Sequence, residues 1–145
     1  MTARRYTVPG VWGPKDRRIT IALLPPEGQE IRMTGQIAWD AEENIVGPGD
    51  VAEQTRQCYR NIEKVLAHFG GRLEDIVEMT TWYTDAADVP KIHAVRREFL
   101  SVDTAPASTA IQVRGFAYPE FLVELTPVAV IPWDRFRDPD QEDPS

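Results

Sequence analysis

A lone carboxylate inside an apolar strand is the feature of this sequence with the clearest chemical potential. Glu124 stands in FLVELTPVAV with Leu122, Val123 and Leu125 as neighbours. A carboxylate so placed must pair, face a pocket or reach solvent at the strand end. Where apolar surroundings desolvate it, its pKa rises, and it becomes a general base toward water or an acceptor for a substrate hydrogen bond. Three other residues carry reactive groups. His93 lies four residues after Val89 and four before Arg97, at the flank of a helical apolar stripe, and taken alone reads as a boundary residue. Ser108, in TAPASTAIQV, lacks the G-x-S-x-G turn of a hydrolase nucleophile and reads as a strand residue whose hydroxyl bonds locally. Cys58, the single cysteine, can form no internal disulfide, and its helical setting reads as core packing.

Other chemistries lack their residues. His68 and His93 are the only histidines, they fall in different helices, and no cysteine pair exists, so neither a metal nor a cofactor is expected. No glycine loop precedes the lysine of a phosphate-binding loop. The formal net charge of -7 repels polyanions, which removes nucleic acid from the expected partners. No apolar run approaches the roughly 18 residues of a membrane helix. The N-terminal MTARRYTVPG has arginines but no apolar stretch after them, so the expected setting is the cytoplasm, with no membrane partner. At 145 residues, 42% hydrophobic and 27% charged, the chain fits one domain over 1–145. Its core spans about 18–132, and the acidic tail, 133–145, reads as a frayed or linker-like end.

The elements that must position Glu124, His93 and Ser108 follow from periodicity. RITIALLPPEGQEIRMT predicts two strands, about 18–24 and 30–34, forming a hairpin across Pro-Pro-Glu-Gly. Asp50, with Glu53 three residues on, has the spacing of a capping box for a helix from Val51, whose stripe of Cys58, Ile62, Val65, Leu66 and Phe69 ends at Gly70-Gly71. DIVEMTTWYTD predicts a strand, and Asp88 caps a second helix carrying Val89, Ile92, Val95, Phe99 and Leu100. Strands over about 107–114 and 121–131 complete the order β-β-α-β-α-β-β. This is an α+β fold with both helices on one face of a mixed sheet. The other face is only moderately polar, with Ser108, Ala110 and Gln112 alternating against Thr109, Ile111 and Val113, and is expected to lie against another subunit.

These strings resemble the Rid (reactive intermediate deaminase) family, also known as YjgF or L-PSP, over about residues 31–131. The resemblance is carried by TGQIAWD, by Gln57, Asn61, Ile62, Val65 and Leu66 in the first helix, by the Asp75–Asp85 run, and by TAPASTAIQV followed by FLVELTPVAV. It implies a chorismate-mutase-like homotrimer with an inner barrel of sheets and a cleft between each pair of subunits. There a reactive enamine or imine loses ammonia. The resemblance places Glu124 as the residue positioning the attacking water and Thr34 and Gly35 at a substrate-contacting turn. His93 falls at a position that is often asparagine, and Ala110 at one that is often cysteine. The arginine of the family's P-A-R motif, which clamps a substrate carboxylate, falls on Ser108. A serine offers one neutral hydrogen bond where a guanidinium offers two charge-assisted ones.

The expected function is therefore an atypical enamine or imine hydrolase whose small-molecule substrate differs from simple 2-imino acids, with Glu124 and His93 as catalytic candidates and Ser108, Gly35, Ala110 and Thr34 as binding candidates. Arg114 shares the strand but lies roughly 20 Å away at about 3.3 Å per residue. Arg18, Arg32, a neighbouring subunit or a partly protonated His93 are the other sources of positive charge. Two alternatives stand beside this reading. One is a trimeric ligand-binding or regulatory protein without turnover, and the other an endoribonuclease, which the acidic chain disfavours.

Overall fold

The computed structural model describes residues 2–141. Eight elements follow in order: β1 (Arg4–Tyr6), β2 (Ala22–Leu24), β3 (Gly28–Arg32), α1 (Val51–His68), β4 (Ile76–Tyr83), α2 (Val89–Phe99), β5 (Ala107–Gln112) and β6 (Val123–Pro132). The main sheet runs β3-β6-β4-β5, with β4 and β5 parallel and the other pairs antiparallel. Both helices pack on one face of this mixed sheet, the α+β arrangement expected from the sequence. Alternation over 123–129 of β6 produces it: Val123, Leu125 and Ala129 are buried toward the helices, while Glu124, Thr126 and Val128 turn to the opposite face.

The expected hairpin does not form. β2 pairs with β1, Leu24 opposite Arg4, and β3 pairs with β6, Ile31 opposite Ala129. Pro25 and Pro26 remove two backbone donors where a hairpin would begin its ladder, and Ile31 gains a buried partner only by joining β6. The strand before this turn is also shorter than expected, because Arg18 takes φ 56° and breaks the extended run. The β1–β2 ribbon is tied to the main sheet by Arg5, whose guanidinium donates to the carbonyls of Ala105 (2.8 Å) and Thr104 (2.9 Å), and by Thr20, whose N–H donates to the Pro106 carbonyl at 2.9 Å.

The helix caps divide. Asp50 accepts from the Glu53 N–H at 3.1 Å, as its spacing predicted, but the Glu53 carboxylate pairs with Arg56 and Arg60. Asp88 makes no capping bond; Asp85 takes that role for the 3-10 turn that leads into α2, accepting from Ala87 N–H at 2.9 Å. Cys58 is fully buried, and burial, aided by the negative charge of Glu124, pushes its thiol well above the usual range. The chain after β6, expected as a loose end, is docked through Arg137: Arg135 grips the buried Asp75 carboxylate with two bonds, 3.0 and 2.5 Å, and Phe136 packs on the core. Residues 142–145 of the acidic tail lie outside the described residues.

Candidate functional site

Glu124 and Gly35 share one cleft of about 530 Å³, together with Thr34. Beyond Arg32 the chain leaves β6 and rejoins it at Gln36, which exchanges both backbone bonds with Leu125, 2.7 and 3.0 Å. The residues between bow over Glu124. A Cβ on Gly35 would stand 2.7 Å from the Glu124 Oε2 and 3.1 Å from the Thr126 Oγ1, so a side chain there would push the carboxylate out of its place. Glu124 is half-buried, and that burial raises its pKa above the ordinary carboxylate value, which strengthens it as a base toward water.

The cleft's far wall is held by amides of α1. Asn61 donates to the carbonyls of Ile37 (3.2 Å) and Trp39 (2.9 Å), and Gln57 donates to the Asn61 Oδ1 at 2.9 Å. Gln54, fully buried, donates to the carbonyls of Gly47 and Glu120 and accepts from the Leu122 N–H, which fixes the entry of β6 just before Glu124. In the sequence, the signal for Gln54 is a polar residue beside Val51, Thr55 and Cys58 of the α1 stripe. Trp82, paired in register with Glu124, donates its indole N–H to Thr126 at 3.0 Å and stiffens the floor.

Ser108 is elsewhere. It lines a second depression of about 630 Å³ with Val11, Trp12 and Glu78. The register sets Ser108 beside Met79 and Ala110 beside Thr81, on the helix side of the sheet, whereas Glu124 aligns with Trp82 and Ile111 on the other side. One chain therefore does not bring Ser108 and Ala110 to Glu124. The Ser108 hydroxyl, expected to bond locally, makes no hydrogen bond among the described residues. A further concavity of about 860 Å³ lies near the C-terminal ends of both helices and contains none of these residues.

His93 sits half-buried on α2 outside both clefts. Burial, and then the positive charges of Arg96, Arg97 and Arg17, hold its pKa below the ordinary histidine value, which disfavours its protonated form. Of the other cations considered, Arg18 donates to the Leu100 carbonyl at 3.1 Å, and Arg32, largely exposed, pairs with Glu30 at 3.2 Å. The residue missed is Arg96. It is 3% exposed, and its Nη2 donates to the Thr81 Oγ1 at 3.2 Å. Its signal was a cation four residues after Ile92 and three before Phe99, inside the apolar stripe.

Among the described residues no helix is long and apolar enough to cross a membrane, and no group of three His, Cys, Asp or Glu side chains could hold a metal ion. Residues 26–131 match the endoribonuclease L-PSP family. A RutC family protein of Pyrococcus abyssi is 31% identical over 70% of this chain and 79% of its own. The 3-aminoacrylate deaminase RutC of Acinetobacter baylyi is 32% identical over 68% of this chain and 77% of its own. Among solved structures, the Rid family protein YyfB from Yersinia pestis superposes with a TM-score of 0.84 at 26% identity, covering 90% of this chain and all of that one. RidA from a Psychrobacter species gives 0.66 at 27% identity, over 72% and 82% of the two chains.

Proposed function

The chain belongs to the Rid (YjgF/L-PSP) family, and from that premise we propose that it is a deaminase hydrolysing a small enamine or imine in a cleft completed by a neighbouring subunit. The observation that carries the reading is the close approach of Gly35 to the Glu124 carboxylate, too near to admit a Cβ without a shift, in a cleft where burial raises the carboxylate's pKa. An enamine first tautomerises to its imine. Water held by Glu124 then adds to the imine carbon, and the carboxylate takes the water proton and returns it to nitrogen, giving a carbinolamine. The same carboxylate then carries the new hydroxyl's proton to nitrogen as the C–N bond breaks, releasing ammonia and leaving a carbonyl. The 3-aminoacrylate deaminase relative supports this reaction class.

The sheet supports the second subunit. Glu124 and Ser108 occupy opposite faces of one chain, so a site using both takes Glu124 from one copy and the β5 edge from another, as three copies in a ring would supply. The substrate is not a simple 2-imino acid, because Ser108 supplies no guanidinium at that edge.

The test is ammonia release from a panel containing 3-aminoacrylate, 2-iminopropionate and longer amino-substituted unsaturated acids. Wild type should turn over at least one of the longer compounds, and Glu124→Ala should slow it by about 10²-fold or more. Tight binding with no ammonia from any compound would instead identify a ligand-binding protein. Equal turnover by both forms removes Glu124 from the mechanism, and fastest turnover on 2-iminopropionate removes the substrate shift. RNA cleavage abolished by Glu124→Ala would favour the endoribonuclease reading.

A further inference from the structure

Trp39, which lines the Glu124 cleft, also lines a separate depression of about 250 Å³ with Glu43, Ile45, Tyr118, Glu120 and Phe121. Its three rings meet at steep angles. The centroids of Trp39 and Tyr118 are 5.0 Å apart with the planes inclined by 59°, those of Trp39 and Phe121 5.5 Å and 83°, and those of Tyr118 and Phe121 6.1 Å and 90°. Rings so inclined form a corner, whereas parallel rings such as Tyr59 and Phe99, at 9°, close on each other. The corner is rigid. Phe121 is 3% exposed, and Gln54 grips the residues on both sides of it, donating to the Glu120 carbonyl and accepting from the Leu122 N–H. The Trp39 carbonyl accepts from Asn61 at 2.9 Å, and Trp39 pairs with Ile45 across its turn. Tyr118 is held by its carbonyl, which accepts from the Phe121 N–H at 3.3 Å, yet its residue stays 49% exposed. Charge gives the depression its sign. Glu43 and Glu120 are exposed, and neither belongs to any of the six ion pairs formed among the described residues. No lysine, arginine or histidine is among the described residues that line it. Such a wall repels an anion and offers a neutral ligand nothing for its carboxylates, while an organic cation is attracted by the ring faces and the carboxylates together.

We propose that this depression binds a small organic ammonium ion, alkylated at nitrogen and without a carboxylate of its own, with Trp39, Tyr118 and Phe121 against its alkyl groups and Glu43 and Glu120 as its counter-charge. An alkylated nitrogen spreads its charge over methyl or methylene groups that pack on rings, whereas a compact ion such as ammonium keeps its water. The volume lies below the roughly 300–1,000 Å³ of a drug-sized ligand site, so the ligand is a head group rather than an extended molecule. The rings are fixed by Gln54, Asn61 and the Trp39–Ile45 pairing, so little ordering is required when the cation enters. The site goes beyond the deaminase reading and does not rest on it: it shares Trp39 with the Glu124 cleft but contains neither Glu124 nor Gly35.

Titration calorimetry of the full-length protein with choline, its neutral carbon isostere 3,3-dimethylbutan-1-ol, glycine betaine and ammonium chloride, all at one ionic strength, tests this. Choline should bind about tenfold or more tightly than the isostere, which has its shape without its charge, and than betaine, whose carboxylate meets Glu43 and Glu120. Ammonium should not displace it. Tyr118→Ala, at a half-exposed position, should weaken choline by about tenfold, while Tyr118→Phe keeps most of the affinity because the ring remains. Glu43→Gln combined with Glu120→Gln should reduce the discrimination against betaine. The choline methyl protons, followed by NMR, should shift upfield in the complex with wild type and less with Tyr118→Ala, a signal that only ring contact produces. Should Tyr118→Ala fail to fold, Tyr118→Phe and the methyl shift in wild type still decide the matter. No choline binding by wild type, equal binding of choline and its isostere, or equal choline binding by wild type and Tyr118→Ala overturns the proposal. Displacement of choline by equimolar ammonium would mean that the carboxylates alone hold the cation, which overturns the assignment to the rings.

Discussion

The two helices treat buried polarity in opposite ways. On α1 every buried polar side chain is matched by a group of the fold: Gln54 has three partners, Gln57 holds Asn61, and Thr55 donates to the Val51 carbonyl at 2.6 Å. On α2 the buried polar residue is Arg96, a full charge set against neutral hydroxyls. Polar groups that close on the protein itself shape a scaffold, and α1 accordingly builds the wall of the Glu124 cleft. On α2 the Arg96 guanidinium donates to the Thr81 hydroxyl of β4 at 3.2 Å, so this helix buries a charge where α1 buries amides.

The contrast can be broken from either side. Gln54→Leu should give the largest loss, about 3 kcal/mol, because it leaves the Gly47 and Glu120 carbonyls and the Leu122 N–H without their partner. Urea unfolding with an unchanged slope is the measurement, and a loss below 1 kcal/mol would mean water replaces the amide. Gly35→Ala drives a methyl into the Glu124 carboxylate and should lower turnover by roughly 10²-fold through misplacement alone. A fully active Gly35→Ala would separate Glu124 from the chemistry. Arg96→Met should run the other way from Gln54→Leu, with stability unchanged or raised by up to about 2 kcal/mol, since an unpaired buried charge gives way to an apolar side chain of similar length. A clear destabilisation would place Arg96 in the same structural class as Gln54.

The smallest effects are in pH. Glu124 holds a proton more tightly folded than unfolded, so its contribution to stability is full below the unfolded carboxylate pKa and falls as pH rises through the folded value. Glu124→Gln should therefore be the more stable form at neutral pH, with the difference vanishing in acid. His93 has the opposite sign: its pKa is lowered, so its contribution is present at neutral pH and is lost as pH falls below about 6.5, the unfolded value. Removing Arg96 should shrink that acid sensitivity, and thermal melts from pH 5 to pH 8 resolve both trends.

Much of this was legible in the sequence where one element settles the matter by itself. The alternation of β6 alone places Glu124 away from the core, and the stripe of α1 alone ends at Gly70. What could not be read depends on partners distant in the chain. The three-residue strands β1 and β2 are too short to show a period, and their pairing is set across an intervening loop. The opposite facing of Ser108 and Glu124 depends on how β5 and β6 each register on β4, which neither strand encodes separately. Arg96 was overlooked because a single arginine within an apolar stripe looks like the stripe's border until its burial is known.

The ties from Arg5 and Thr20 to Thr104, Ala105 and Pro106 reach further than the ribbon they hold in place. β5 is the outermost strand of the main sheet, with polar backbone along its free side and the exposed Ile111 near its end. Its first residues are the part that the N-terminal segment guards. Trimming the chain up to Pro25 would turn that border into a bare template for strand addition, and self-association into larger species, rather than unfolding, would be the first fault to appear.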